Sequence, residues 1–337
     1  MRRGKTVAAL GLAAMLAASA ALAQTGNPGG AINDNLGDFD YGVCRGIDAR
    51  CFHDWPRAKP AQYRVLLFTH TAGPRHADLG PALAAGLNPQ LADANVVHNA
   101  MLKIAAANGW HLDYTEDVAQ MTNLNSYNAV VFFSTSRDNL DDNAKTALRQ
   151  YMRAGGGFVA IHNAFGTLYN WPYYEGLLGN ANYYNHGPER SGEVVIQDSK
   201  DASTRDLPKR WRFRDEWYNL IPFPTHVRFL ATVDEKSWDP DEARGGAGRG
   251  PAVAGRGGRG GRGPRAPSVV GQMPGHGSFH PVAWCQYYDG GKAWVTTLGH
   301  DAKDFANDDA VFPGSVEFVK MITGGIKSVM GQEAFCQ

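Results

Sequence analysis

Four short stretches of this 337-residue sequence place ionisable side chains at the end of an apolar run, where a folded sheet would present them. The first is Phe68-Thr69-His70-Thr71-Ala72-Gly73-Pro74-Arg75-His76. Thr69, Arg75 and His76 are its candidate ligand-binding groups, since a guanidinium beside an imidazole can clamp an anion or a hydroxyl. The same residues serve equally well as the polar surface of a loop. The second stretch, Gly155-Gly156-Gly157-Phe158-Val159-Ala160-Ile161-His162-Asn163-Ala164, ends in a sharp polar turn. His162 stands where a strand-to-helix elbow would project a nucleophile. Imidazole titrates near neutrality and suits proton transfer or metal ligation, although a lone histidine at a strand end is often hydrogen-bonded structure. In the third stretch, Arg214-Asp215-Glu216-Trp217-Tyr218, adjacent carboxylates of an extended segment point to opposite faces. At most one of Asp215 and Glu216 therefore faces a site while its neighbour caps or pairs. Trp217 and Tyr218 would suit stacking on a sugar ring, whereas Trp211 reads as core. The fourth comprises His280-Pro281-Val282-Ala283-Trp284 and Thr297-Leu298-Gly299-His300-Asp301. Gly299 permits a tight turn that presents His300, and His280 reads as structural.

The elements that must position these groups alternate. Residues 64–69 form a continuous apolar run typical of a buried strand. Val97, Met101, Ile104 and Ala105 share one helical face that stops at Gly109. Strands follow at 110–115, 129–134 and 157–162, with a helix at 141–153 between the last two. Strands alternating with helices imply a mostly parallel, doubly wound α/β sheet with helices on both faces and ligands outside the strands' carboxyl ends. The second half is richer in strands, at 193–196 and 227–233. Residues 282–288 and 292–298 form a hairpin through Asp289-Gly290-Gly291. A helix over 313–329 closes the domain.

Arg2, Arg3 and Lys5 precede a small-apolar run from residue 6 to 18, and Ala21-Leu22-Ala23 supplies a small-x-small cleavage pattern. Residues 1–23 are therefore expected to be a signal peptide, with export to the periplasm or medium and no membrane attachment after cleavage. Residues 24–62 read as an N-terminal arm, 63–330 as the domain and 331–337 as a tail. Residues 244–267, rich in Gly, Arg, Ala and Pro, are too poor in apolar residues to pack and read as a disordered insertion. The formal charge of zero hides an asymmetry: the leader carries +3 and residues 244–265 carry six arginines and no acid, which leaves −9 on the rest. An acidic body argues against nucleic acid as a partner. In an oxidising compartment Cys44 and Cys51 form the simplest disulfide, and Cys285, inside an apolar strand, reads as an inert buried thiol.

Taken in order, the four stretches, together with Trp171-Pro172-Tyr173-Tyr174 and Leu298-Gly299-His300, resemble the ThuA-like family, named for trehalose utilisation. The resemblance implies a fold like that of class I glutamine amidotransferases, and a pocket in which His162, Glu216 and His300 converge with Arg75 and His76. It also implies handling of trehalose-like or other glycosides, including their keto forms. Glutaminase chemistry is excluded because an imidazole stands where that reaction needs a thiolate.

These readings lead to an exported hydrolase or lyase acting on a small carbohydrate, a glycoside or keto-glycoside. His162, Glu216 and His300 would be catalytic, and Thr69, Arg75, His76, Asn163, Asp215, Trp217 and Tyr218 would bind substrate. No cofactor is assigned, but the catalytic three could equally hold a divalent metal. The alternatives are a non-catalytic sugar-binding module of the same fold and, more weakly, a polyanion binder acting through the 244–265 loop.

Overall fold

The computed structural model describes residues 43–55, 62–239, 242 and 275–337. The expected leader, the arm up to residue 42 and the Gly/Arg-rich insertion lie outside the described residues.

In chain order the elements are β1 (Arg45–Gly46), β2 (Arg64–Phe68), α1 (Val96–Ala107), β3 (His111–Thr115), β4 (Ala129–Phe133), α2 (Asp142–Arg153), β5 (Gly157–Ile161) and α3 (Pro172–Leu177). They continue with β6 (Tyr183–His186), β7 (Arg190–Ile196), β8 (Arg210–Asp215), β9 (Tyr218–Leu220), β10 (Arg228–Asp234), β11 (His280–Tyr288), β12 (Gly291–Thr296) and α4 (Ser315–Met330). The main sheet runs β3-β2-β4-β5-β12-β11-β10-β7-β8, and β6 pairs with β9 in a separate ribbon. From β3 to β12 every pairing is parallel. From β12 outward every pairing is antiparallel.

The apolar runs of the parallel strands are continuous because each face is covered. Val65, Leu67, Val131, Phe133, Val159 and Ile161 pack with Val97 and Met101 of α1 and Phe318, Met321 and Ile322 of α4. The alternate residues Leu66, Phe68, Val130, Phe132, Phe158 and Ala160 pack with Leu148 and Tyr151 of α2 and Tyr174 of α3. This two-residue alternation places the two cores on opposite faces of one sheet. At α2, Asp141 stands outside the helix as its cap, accepting from the Ala144 amide at 2.8 Å. Among the described residues no helix is long and apolar enough to cross a membrane.

Two expectations need correction. Cys285 is not a free thiol: it is bonded to Cys336, while Cys44 is bonded to Cys51. The tail returns to the sheet, with Phe335 buried and the Cys336 amide donating to Asp201 Oδ2 at 3.1 Å. Part of the arm joins the sheet, where Arg45 and Gly46 pair with Tyr288 and Tyr287 of β11.

Asp113 of β3 shows how the loop before α1 is tied down. Burial alone would raise its pKa, but bonds from Asn88, Arg64 and Tyr127 outweigh burial and hold it below the ordinary value of 3.8. A carboxyl depressed in the fold contributes stability above its unfolded pKa, and that contribution is lost as pH falls through the folded value. Asp113→Asn should therefore be less stable than the parent at neutral pH and lose less on acidification below about pH 4. Parallel acid limbs for the two proteins in chemical denaturation would refute this.

Candidate functional site

β5 delivers His162 at its carboxyl end in the left-handed region, with φ of 52°. A non-glycine residue there costs about 1–3 kcal/mol and persists only where surrounding contacts enforce it. One such contact is a hydrogen bond of 2.9 Å between His162 Nδ1 and the Thr297 carbonyl. A carbonyl only accepts, so Nδ1 carries the proton and Nε2 turns a lone pair toward the strand ends. Three polar atoms face that lone pair: Tyr218 Oη at 2.9 Å, His76 Nε2 at 3.2 Å and His300 Nδ1 at 3.4 Å.

His300 arrives through Gly299, whose φ is 121°. A Cβ at Gly299 would lie 3.1 Å from Ile161 Cγ2, a tight contact, and the φ of 121° is itself one that side-chain-bearing residues rarely adopt. The Gly299 amide donates to Asp215 Oδ2 at 2.9 Å, and the Glu216 amide donates to Asp215 Oδ1 at 2.7 Å. Asp215 thus lies beneath the site as a brace, while Glu216 turns into it, with Oε2 at 3.2 Å from His300 Nδ1, 3.6 Å from His186 Nε2 and 3.9 Å from His162 Nε2.

This meeting requires a curled sheet. β8 lies four places from β12, a separation of roughly 19 Å if the strands lay flat at their usual spacing. The contact between Asp215 and Gly299 means that the antiparallel half curls back over the rim of the parallel half.

Burial and neighbouring charge set the electrostatics. Burial pushes His162 well below the usual imidazole value, and the proximity of His76 and His300 adds to this. Burial likewise pushes His76 down to about 4. For His300 burial acts in the same sense, but the bond to Glu216 overrides it and carries the pKa up to about 9. Burial would raise Glu216, yet the His300 bond and the charges of His300, His186 and His76 hold it below the ordinary range.

One ligating atom from each of His76, His162, Glu216 and His300 lies within 4.8 Å of all the others. A tetrahedral ion with ligands at 2.0–2.1 Å has ligand-to-ligand edges of about 3.3 Å. Three of the separations, 3.2, 3.4 and 3.2 Å, match that edge, and another is 3.9 Å. A single lone pair on His162 cannot serve both imidazole nitrogens at 3.2 and 3.4 Å, whereas an ion would accept a lone pair from each of the three rings, with the Tyr218 hydroxyl then giving up its bond to Nε2. The donor set fits a divalent metal.

The other expected site residues have different tasks. Arg75 does not clamp a ligand: it bonds Glu116 Oε1 at 2.7 Å and the carbonyls of Gly80 and Pro81 at 2.7 and 3.0 Å. Thr69 is buried between His98 Nε2 and Glu116 Oε1. Asn163 donates to the Thr135 carbonyl at 3.1 Å and braces the elbow. Trp217 is 3 % exposed, and its indole donates to the Arg190 carbonyl, so it is core and no stacking platform. Tyr218 is also buried and offers no face to a sugar; its ring packs 4.6 Å from that of His162, which its hydroxyl orients. His162 itself is fully buried, which suits an inner ligand or relay. His280 is buried, with its nitrogens 2.8 Å from Glu235 Oε1 and 2.9 Å from the Tyr218 carbonyl. Sequence reasoning missed His186, whose only signal was an imidazole shortly after the aromatic pair Tyr183-Tyr184.

The molecule is thus an α/β protein of the doubly wound class with a histidine–carboxylate site at the carboxyl rim of its parallel strands. All four cysteines are in disulfides, so no thiol can act as an amidotransferase nucleophile. The chain belongs to the ThuA family, described as trehalose utilisation, whose family model matches residues 64–327. Its fold is shared with a ThuA-like protein of Bacteroides uniformis, 17% identical, covering 81% of this chain and 96% of that one at a TM-score of 0.53. A ThuA-like protein of Parabacteroides merdae, 15% identical, covers 82% of this chain and 92% of its own at 0.53. No curated protein matches the chain. Family membership suggests a role in carbohydrate utilisation.

Proposed function

We propose that this protein is an exported enzyme that opens the glycosidic bond of a keto-glycoside, assisted by a divalent cation held by His76 Nε2, His162 Nε2, His300 Nδ1 and Glu216 Oε2. The observation that carries this reading is the convergence of those four atoms around a fully buried imidazole. Export is supported by the leader-like N-terminus and by two disulfides, which persist in oxidising compartments. A bound cation would supply Lewis acidity toward a sugar ketone through a coordination position beyond those four ligands.

The chain's own groups favour elimination over a two-carboxylate hydrolysis. That hydrolysis needs two carboxyl groups facing each other across the sugar, and both Asp215 oxygens accept backbone amides beneath the site. In a 3-keto-glycoside the proton leaves C2 and its electron pair forms the C1=C2 bond. The C1–O bond breaks, the departing oxygen takes a proton, and no oxidant or reductant is consumed. His186, with its ring partly exposed and Nε2 3.6 Å from Glu216, is placed to take that proton and return it to the leaving oxygen.

A second reading runs the same reaction without a cation, with His300 as proton donor and His76 as acceptor; the 3.2 Å ion pair of His300 with Glu216 favours it. The experiment is metal analysis of the purified protein combined with turnover of 3-keto-glycosides before and after chelation. About one divalent ion per chain, with turnover lost on chelation and restored by metal, is expected. Turnover without metal would transfer the assignment to the second reading. Sugar binding with no turnover in either state would leave a carbohydrate-binding module.

A further inference from the structure

We infer that the cleft beside this rim, bounded by Arg137, Tyr169, Tyr183 and Tyr184, is a subsite for the second sugar of a neutral disaccharide. The inference rests on the carbohydrate reading above. The cleft has a volume of about 610 Å³ and is completed by Asp138 and Asn170. That size falls among small-molecule sites, which run roughly 300–1,000 Å³.

Its walls have the two kinds of surface that a pyranose presents. Tyr169 and Tyr184 are 38 % and 44 % exposed and offer flat apolar faces to the C–H side of a ring. Arg137, Asp138 and Asn170 offer donors and acceptors to hydroxyl groups. Among the described residues no carboxylate pairs with Arg137; its guanidinium lies 5.9 Å over the Tyr169 ring, while Asp138 pairs with Lys145 at 3.2 Å. A cationic and an anionic group on one wall suit a neutral polyol better than an anion.

The cleft is joined to the candidate active site by structure as well as by position. Arg137 is held in the left-handed region, φ 60°, by its amide donating to Gly166 at 2.8 Å and its carbonyl accepting from Leu168 at 2.9 Å. Its side chain crosses Gly73, where any Cβ would collide with Arg137 Cγ. Arg137 is thereby wedged between the loop that carries His76 and the turn that follows His162. On the other wall, the Tyr183 ring packs 4.6 Å from that of Tyr218, whose hydroxyl is 2.9 Å from His162 Nε2. One aromatic ring separates the cleft from the imidazole cluster. A sugar bound here would continue a glycoside whose reacting ring lies at Glu216 and His186.

Calorimetric titration with trehalose and with methyl α-glucoside tests this. The parent should bind trehalose more tightly than the monosaccharide. Tyr184→Ala and Tyr169→Ala should each weaken trehalose about tenfold, leaving methyl α-glucoside affinity and metal content unchanged. Parental trehalose affinity in both variants, or no preference for trehalose in the parent, overturns the inference. His162→Asn separates the two claims: it should keep trehalose affinity while losing turnover. If it keeps turnover, the catalytic reading fails and the subsite stands or falls on the titrations alone.

Discussion

His162→Asn should bind no stoichiometric divalent metal and lose turnover of a 3-keto-glycoside by more than about 10²-fold. The lower bound follows from second-layer changes at metal sites, which alone typically cost 10–100-fold. Asparagine is the substitution of choice because it tolerates the left-handed conformation that position 162 requires. A change in the far-ultraviolet circular dichroism is not expected, since the ring contributes one hydrogen bond to Thr297 and no strand pairing. His162→Ala should behave alike in activity with an added stability loss, because alanine is strained at that φ. Full turnover in either variant would sever the imidazole cluster from the chemistry.

The second large effect concerns stability. The bond between Cys285 and Cys336 closes a loop with a sequence separation of 51, and chain-entropy stabilisation grows with the logarithm of loop length. Replacing both residues by serine should lower the unfolding free energy by roughly 4 kcal/mol, against roughly 2 kcal/mol for the Cys44–Cys51 pair, whose separation is 7. Urea denaturation of the two double variants, compared with the oxidised parent under non-reducing conditions, reads both values. Equal midpoints for the parent and the Cys285/Cys336 variant would mean that the tail is not held by this bond.

The inner parallel strands β4, β5 and, after Arg64, β2 were legible because strands covered on both faces are apolar at every position, a pattern that needs no tertiary knowledge. β8 was less so. Its exposed Arg210 and Arg212 alternate with buried Trp211 and Phe213, and polar alternation in six residues looks merely extended. The site was partly legible for the same reason. His162 and His300 end strands that could be seen, so the fold class alone places them at one rim. Which polar groups near that rim remain available was not legible: Thr69, Arg75 and Asn163 look like ligand-binding residues until Glu116, His98 and the Gly80 and Thr135 carbonyls are brought against them. Trp217 and Tyr218 misled in another way, since their aromaticity serves the core and the second imidazole layer. Cys336 sits in a short polar tail with no periodicity, and only the return of that tail to β11 explains its partner.

The curl that brings Asp215 against Gly299 has a thermodynamic corollary. The three imidazoles at 76, 162 and 300 are anchored to the parallel half, whereas their acid partner hangs from the last strand of the antiparallel half. Outermost strands open locally at lower free energy than central ones. Peeling of that border would withdraw the carboxylate while leaving most of the secondary structure in place, so catalytic competence would vanish under milder stress than the fold itself.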